Sequence, residues 1–297
     1  REVLVTGGTG FVGTHVCRAL IARGFVPRLL VRPGSEDRVQ ADVRENGVII
    51  PGDVTDRESV ENAAQGARAV VHLAGIIREF PARKITFERL HIDATRNAVD
   101  AAVRWKIPRF VHMSALGASA GGPTGYFDSK GRAEEYVRSS GLAWTIFRPS
   151  VIFGPGDSFI NELVRLLRVA PFLPVPGDGI YSLQPVFVGD VAKGFADAIL
   201  RPGTAGREFE VGGPERLSYI ELLDRIAASI GRRARKIYVP LSFLRPAVRR
   251  LERFEKFPLT TEQLEMLVAG NTCDHRPFYA AFDFSPFPLS TYLSNRQ

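Results

Sequence analysis

The sequence predicts an α/β fold: a doubly wound parallel sheet with a smaller, mostly C-terminal lobe. Three observations carry this expectation. Short apolar runs alternate with helical patterns through the first half of the chain. A glycine triplet stands between the first such run and the first helix. Beyond Arg148 the texture changes to Pro/Gly-rich breaks. Continuous apolar strands separated by helices read as a parallel sheet covered on both faces.

The elements follow in order. EVLVTG (2–7) is a short buried strand, followed by a helix over 11–23. PRLLVR (27–32) is the next strand, then a polar helix, then GVIIPGD (47–53). A helix through DRESVENAAQGA leads to strand AVVHLAG (69–75). FERLHIDATRNAVDAAVRW is one long helix, RFVHMS (109–114) a strand, YFDSKGRAEEYVRSS a helix and LAWTIFR (142–148) a strand. After Arg148, GPGD, APFLPVPGDG and RPGTAG break the chain, with helices over 158–169, 189–200, 218–230 and 261–269. A Phe/Pro-rich tail closes it. The first unit therefore spans 1–153 plus roughly 184–200, and the smaller lobe 154–183 and 201–297.

Composition narrows the function classes. The 297 residues are 45% hydrophobic and 24% charged, ordinary for a soluble protein. The longest apolar runs fall far below the ~20 residues of a membrane span. The chain opens directly on a strand, so a few residues, including the initiator Met, are expected to precede it. Cys17 and Cys273 match no metal-ligand spacing and read as reduced thiols in the cytoplasm. The five histidines form no i,i+4 pair, so no metal is expected. Net charge is +7. Between 231 and 257, Arg232, Arg233, Arg235, Lys236, Arg245, Arg249, Arg250, Arg253 and Lys256 face only Glu252 and Glu255. Such a segment attracts nucleotides, acidic partners or anionic lipid. Without interleaved aromatics in a basic stripe or a reader motif, nucleic acid is not expected.

Three signals carry chemistry. The first is TGGTGFVG (6–13), with Gly7, Gly10 and Gly13 three apart between strand and helix. Thr9, Phe11 and Val12 belong to the same turn. Glycine allows the tight turn and close backbone approach to a pyrophosphate, while the helix N-terminus offers free N–H groups. The second is the end of the next strand, where Arg32 stands in place of an acid that would hold a ribose 2′-hydroxyl. A guanidinium suits a 2′-phosphate, so NADP(H) is expected, with NAD(H) an alternative. Asp53, beside Val54, suits the adenine amino group or, equally, a helix N-cap. Leu73, Ala74 and Gly75 would line the adenosine side. The third is Tyr126 and Lys130, four apart on one helix face. A nearby ammonium favours phenolate, which would suit Tyr126 to acid–base work on a carbonyl. Lys130 would also hold the nicotinamide ribose.

Together these residues resemble the extended short-chain dehydrogenase/reductase superfamily, whose members include NAD-dependent epimerases and dehydratases. The glycine triplet, GDVTD, HLAG, Tyr126-x-x-x-Lys130, RPSVIFGPGD and VFVGDVA all stand in family order. HMSALGAS, KGRAEEYVRSSGL and FRPSVIFGPGD look most like the atypical branch of the 39-kDa accessory subunit of mitochondrial complex I. The resemblance implies a Rossmann domain, backbone approach of Pro149, Val151 and Ile152 to the nicotinamide, and a hydroxyl at the end of strand five. Here Ala115 stands at that hydroxyl position and Ser114 one residue early. A one-residue shift turns a side chain to the other face, although a bulged strand end would bring Ser114 back. His91 stands where the family has Asn, with Asn97 further on. His112 and Met113 read as packing.

The stretch 241–257 carries an apolar stripe through Leu244, Ala247, Val248, Leu251 and Phe254 with basic residues around it. It suits a helix docked on its own domain, a lid, or an interfacial helix on anionic lipid. Three functions are therefore expected. The first is an NADP(H)-dependent oxidoreductase using Tyr126, Lys130 and Ser114 on a hydrophobic carbonyl or alcohol, a substrate suggested by the Phe/Pro-rich second lobe. The second is a nucleotide-binding accessory or assembly protein of a membrane complex, cytoplasmic or peripheral to the inner membrane. The third is a nucleoside-diphosphate-sugar epimerase, with Arg165, Arg168 and Arg216 as diphosphate ligands.

Overall fold

The computed structural model describes residues 1–170, 172–255 and 257–295, so Lys256 of the basic segment lies outside them. Over the described residues, seven parallel strands form one sheet: β1 (Glu2–Thr6), β2 (Val26–Val31), β3 (Val48–Pro51), β4 (Ala69–His72), β5 (Phe110–Met113), β6 (Trp144–Pro149) and β7 (Arg207–Val211). Their order is β7-β6-β5-β4-β1-β2-β3. The winding direction reverses between β1 and β4, the position where ligands enter sheets of this kind.

Both faces are covered. Along β1, Val3 and Val5 enter one core with Leu20, Phe147 and Phe195, while Leu4 enters the opposite core with Val60, Ala98 and Phe110. That explains why β1 reads as continuously apolar. Helices α1 (Phe11–Ile21), α2 (Ala41–Asn46), α3 (Arg57–Ala64), α4 (Ala94–Arg104) and α5 (Gly125–Ser139) connect the strands. The predicted long helix before β5 is interrupted: Glu88–Asp93 forms a π-helical turn leading into α4. Inserted π turns recur at functional sites, and this one carries His91.

The smaller lobe has its own core, in which Ile160 and Leu163 of α6 (Phe159–Val169) meet Leu222 and Ile226 of α8 (Tyr219–Ser229). Between them, α7 (Val188–Leu200) returns to the large sheet, where Phe195 packs on Phe147 at 4.7 Å between ring centroids. The remaining helices are α9 (Leu241–Leu251), α10 (Thr261–Val268), α11 (Arg276–Phe282) and α12 (Leu289–Ser294).

Three expectations need correction. The stretch 201–297 is not all smaller lobe: β7 extends the large sheet, and Phe278 and Phe282 of α11 pack into its core against Phe147. Pro/Gly texture reports turns but not which core an apolar residue joins. These phenylalanines are sheet packing, so they carry no argument for an apolar substrate. The basic helix also stops at Leu251, short of 257, and of its stripe only Val248 is buried.

Glu134 anchors α5 to the sheet. Its carboxylate is 1% exposed and accepts Arg148 Nε at 2.8 Å and Arg138 Nη2 at 2.6 Å, and Arg138 also reaches Glu208 on β7. Removing one partner of a buried pair strands the other charge. Glu134→Ala should lower unfolding free energy by about 3 kcal/mol, measured by urea denaturation, with Glu134→Gln less affected.

Candidate functional site

A cleft of about 670 Å³ opens at the carboxyl ends of β1, β2 and β4. Its floor is the turn between β1 and α1. Gly7 holds φ +75°, and a Cβ on Gly13 would stand 2.1 Å from the Gly7 carbonyl oxygen, so α1 can start this close to the strand only with glycine at 13. Gly10 caps α1 without any side-chain hydrogen bond, and no acid stands in the first turn. The first amides of α1 are thus left to an anion.

Gly7, Thr9, Gly10, Phe11, Val12, Gly13, Arg32, Asp53, Val54, Leu73, Ala74, Gly75, Ser114, Tyr126 and Lys130 all line this cleft. Pro149, Val151 and Ile152 do not. The carbonyls of Pro149 and Val151 accept from Leu116 and Val186, and Ile152 pairs with Val186 in a short ribbon. Asp53 accepts from the Thr55 amide and hydroxyl, both at 2.8 Å, while Asp56 caps α3 through Ser59. The N-cap alternative for Asp53 is therefore excluded.

Ser114 follows β5, and its hydroxyl is buried with no hydrogen-bond partner among the described residues. Ala115 turns away into an apolar cluster with Phe87, Tyr126 and Phe127. The strand end thus presents Ser114, not Ala115, to the cleft. Lys130 is 3% exposed and donates to the Met113 carbonyl at 3.0 Å. Burial pulls its ammonium down to about 8, against the opposing carboxylate of Glu134. Burial also pushes the Tyr126 phenol up to about 12. The expected drop toward phenolate is not found, because burial strips water from the phenol and disfavours its charged form. The Tyr126 phenol is therefore protonated at neutral pH.

His91 is held in place. Its Nδ1 lies 2.8 Å from Ser129 Oγ, which also reaches the Tyr126 carbonyl at 3.0 Å, and its Nε2 lies 3.1 Å from the Ile76 amide nitrogen and 3.0 Å from the Ile76 carbonyl oxygen. Burial and the Lys130 charge hold this imidazole neutral, down to about 2. It ties the end of β4 to α5. Asn97 donates instead to the Val54 carbonyl, away from His91's role. His112 stacks on His72 at 5.4 Å in the core, as expected, whereas Met113 also lines the cleft.

Sequence reasoning missed part of the lining. Ser35 and Arg38 join Arg32 at one end, and Arg78, Arg83, Lys84 and Arg89 come from the irregular segment after β4. The only signal for the first pair was their proximity to Arg32 in VRPGSEDR. Of the sugar-diphosphate candidates, Arg165 pairs with Glu162 and Arg216 donates to the Cys273 carbonyl; neither these nor Arg168 line the cleft.

A glycine turn under an uncapped helix, at the reversal point of a parallel sheet, defines a dinucleotide-binding Rossmann protein. The chain belongs to the NAD(P)H-binding family, whose profile matches residues 7–157. It is 30% identical over 262 residues to NADH dehydrogenase [ubiquinone] 1 alpha subcomplex subunit 9 of Dictyostelium discoideum, covering 86% of this chain and 71% of that protein. It is 37% identical over 175 residues to a ceramide reductase of Caulobacter vibrioides, covering 58% of this chain and 53% of the reductase. A farnesyl-dihydroquinoline-oxide ketoreductase of Stigmatella aurantiaca is 30% identical over 75% of this chain and 72% of its own length. The crystal structure of gox2253 superposes with TM-score 0.78 at 25% identity, over 99% of this chain and 96% of that one. UDP-glucose 4-epimerase of Thermotoga maritima shares the fold at TM-score 0.76 and 20% identity, over 99% and 96%.

Proposed function

We propose that this protein is an NADP(H)-dependent oxidoreductase of the extended short-chain type, reducing the carbonyl of an apolar substrate. The observation that carries this reading is one cleft lined by the glycine turn, Tyr126, Lys130 and the unpartnered Ser114 hydroxyl. The glycine turn and the first amides of α1 would hold the pyrophosphate, and the bound dinucleotide would supply a hydride. Ser114 Oγ–H is free to donate to a carbonyl oxygen, and Tyr126, protonated at neutral pH, supplies the proton. Lys130 would hold the nicotinamide ribose and lend its charge to the developing alkoxide. An apolar substrate is supported by the names of two relatives, a ceramide reductase and a farnesyl-quinoline-oxide ketoreductase.

Preference for NADP(H) is supported by Arg32, Ser35 and Arg38 at one end of the cleft, where neither arginine has an ion pair among the described residues. Titration by intrinsic fluorescence tests this. NADPH should bind more tightly than NADH, and Arg32→Asp should cut NADPH affinity about tenfold or more while sparing NADH, as expected for one charged hydrogen bond. If neither nucleotide binds, the redox reading fails.

A second reading is a nucleotide-binding accessory subunit of a membrane complex, favoured by the likeness to the mitochondrial subunit. In that case NADPH would bind tightly, survive purification and never be oxidised by a carbonyl substrate.

A further inference from the structure

The smaller lobe carries an apolar and cationic surface that the cleft chemistry does not use. Helix α9 buries only Val248. Phe243 is 72% exposed and Phe254, just beyond the helix, 53%. Beside the start of α9 lies the ribbon of Leu173–Pro176 with Lys236–Val239, joined to it where Leu241 packs over the turn at Gly177. That ribbon exposes Ile237 and Tyr238 about by half, with Phe172 at its edge. Exposed apolar residues gathered in one region mark an interaction surface.

The charges on it are unbalanced. Arg233, Arg235, Arg249, Arg250 and Arg253 form no ion pair with a described residue. The two acids of the segment are turned to internal use: Glu252 accepts the Thr261 amide at 2.6 Å, and Glu255 pairs with Arg83. Uncompensated arginines beside a few exposed aromatic rings, Arg253 stacked over Phe254 at 5.0 Å, are complementary to anionic headgroups over an acyl layer, where rings enter the interface and guanidinium groups stay at the phosphates.

We propose that this face docks on an anionic lipid bilayer and sets the mouth of the cleft against the membrane. The face is tied to the cleft wall. Arg78, which lines the cleft, donates to the carbonyls of Glu252 at 3.0 Å and Phe254 at 3.2 Å, and also to that of Phe257. Glu262 of α10 accepts the amides of Gly125 and Tyr126 at 2.9 Å each, capping the helix that carries Tyr126 and Lys130. An apolar substrate dissolved in the bilayer then reaches Tyr126 without crossing water. This last step rests on the oxidoreductase reading, whereas the docking does not.

Co-sedimentation of the full chain with vesicles tests the docking. The protein should pellet with phosphatidylcholine vesicles containing about one-third phosphatidylglycerol, and not with phosphatidylcholine alone. Phe243→Ser with Phe254→Ser should weaken that binding about tenfold at unchanged melting temperature, and Arg249→Glu with Arg250→Glu should abolish it. Absence of binding, or binding that the serine pair leaves intact, overturns the proposal. So does a dimer in light scattering that the serine pair dissolves, which would make the patch a self-interface. NADPH titration of the same samples separates the two readings: vesicle binding without nucleotide binding would remove the oxidoreductase and leave the docking.

Discussion

Tyr126→Phe should lower turnover of an apolar ketone with NADPH about a thousandfold and leave NADPH affinity within about twofold. The phenol lies in the cleft, makes no hydrogen bond to a described residue and is kept protonated by burial, so it has a proton to give and no structural partner to lose. Phenylalanine keeps the ring contacts, edge-on to Phe87 at 5.9 Å, His91 at 5.5 Å and Phe127 at 5.6 Å. Melting temperature should therefore stay put while the chemical step fails. Single-turnover kinetics distinguishes the steps: a variant that binds NADPH but reduces no ketone has lost its acid. Full turnover in Tyr126→Phe would move the proton source elsewhere and remove the main reason for assigning catalysis to α5.

The parts of this site that were legible in the sequence are those set by short-range chemistry. A glycine triplet can be read because Gly13 is demanded by the Gly7 carbonyl six residues away. Tyr126 and Lys130 can be read because a helix places residues four apart on one face. Strands β1, β2, β4, β5 and β6 were legible as apolar runs because the sheet is buried on both faces there, and β3, at one edge and partly exposed, was legible from its apolar residues Val48, Ile49 and Ile50 alone. β7 was not: it lies at the other edge, it alternates exposed and buried in Arg207–Val211, and it reads as part of a polar lobe. The role of His91 was also hidden, since its partners Ile76 and Ser129 lie 15 and 38 residues away. The same holds for Glu262, whose carboxylate caps α5 from more than a hundred residues downstream. Periodicity tells which face of an element is apolar but not which surface that face will meet.

Lys130→Met should stabilise the protein at neutral pH and remove its function. An ammonium 3% exposed has lost its water, and burial lowers it from 10.5 to about 8 despite the Glu134 carboxylate one turn on. A lysine whose folded pKa lies below its unfolded value binds fewer protons when folded between those two values. Stability at this site is therefore lowest below about pH 8 and recovers as pH rises from about 8 toward 10.5. The gap corresponds to on the order of 3 kcal/mol at neutral pH. Urea denaturation of the wild type and Lys130→Met should differ by roughly that amount at pH 7, less what the lost bond to Met113 contributes, and converge by pH 10. NADPH binding should weaken at pH 7 in the variant, and in the wild type should fall off above about pH 8 as the ammonium deprotonates. A Lys130→Met protein less stable than the wild type at pH 7 would mean that the Met113 carbonyl compensates the buried charge fully and that the lysine has a structural role. The opposite result means that the fold tolerates a costly buried charge at the one position where the cleft can use it.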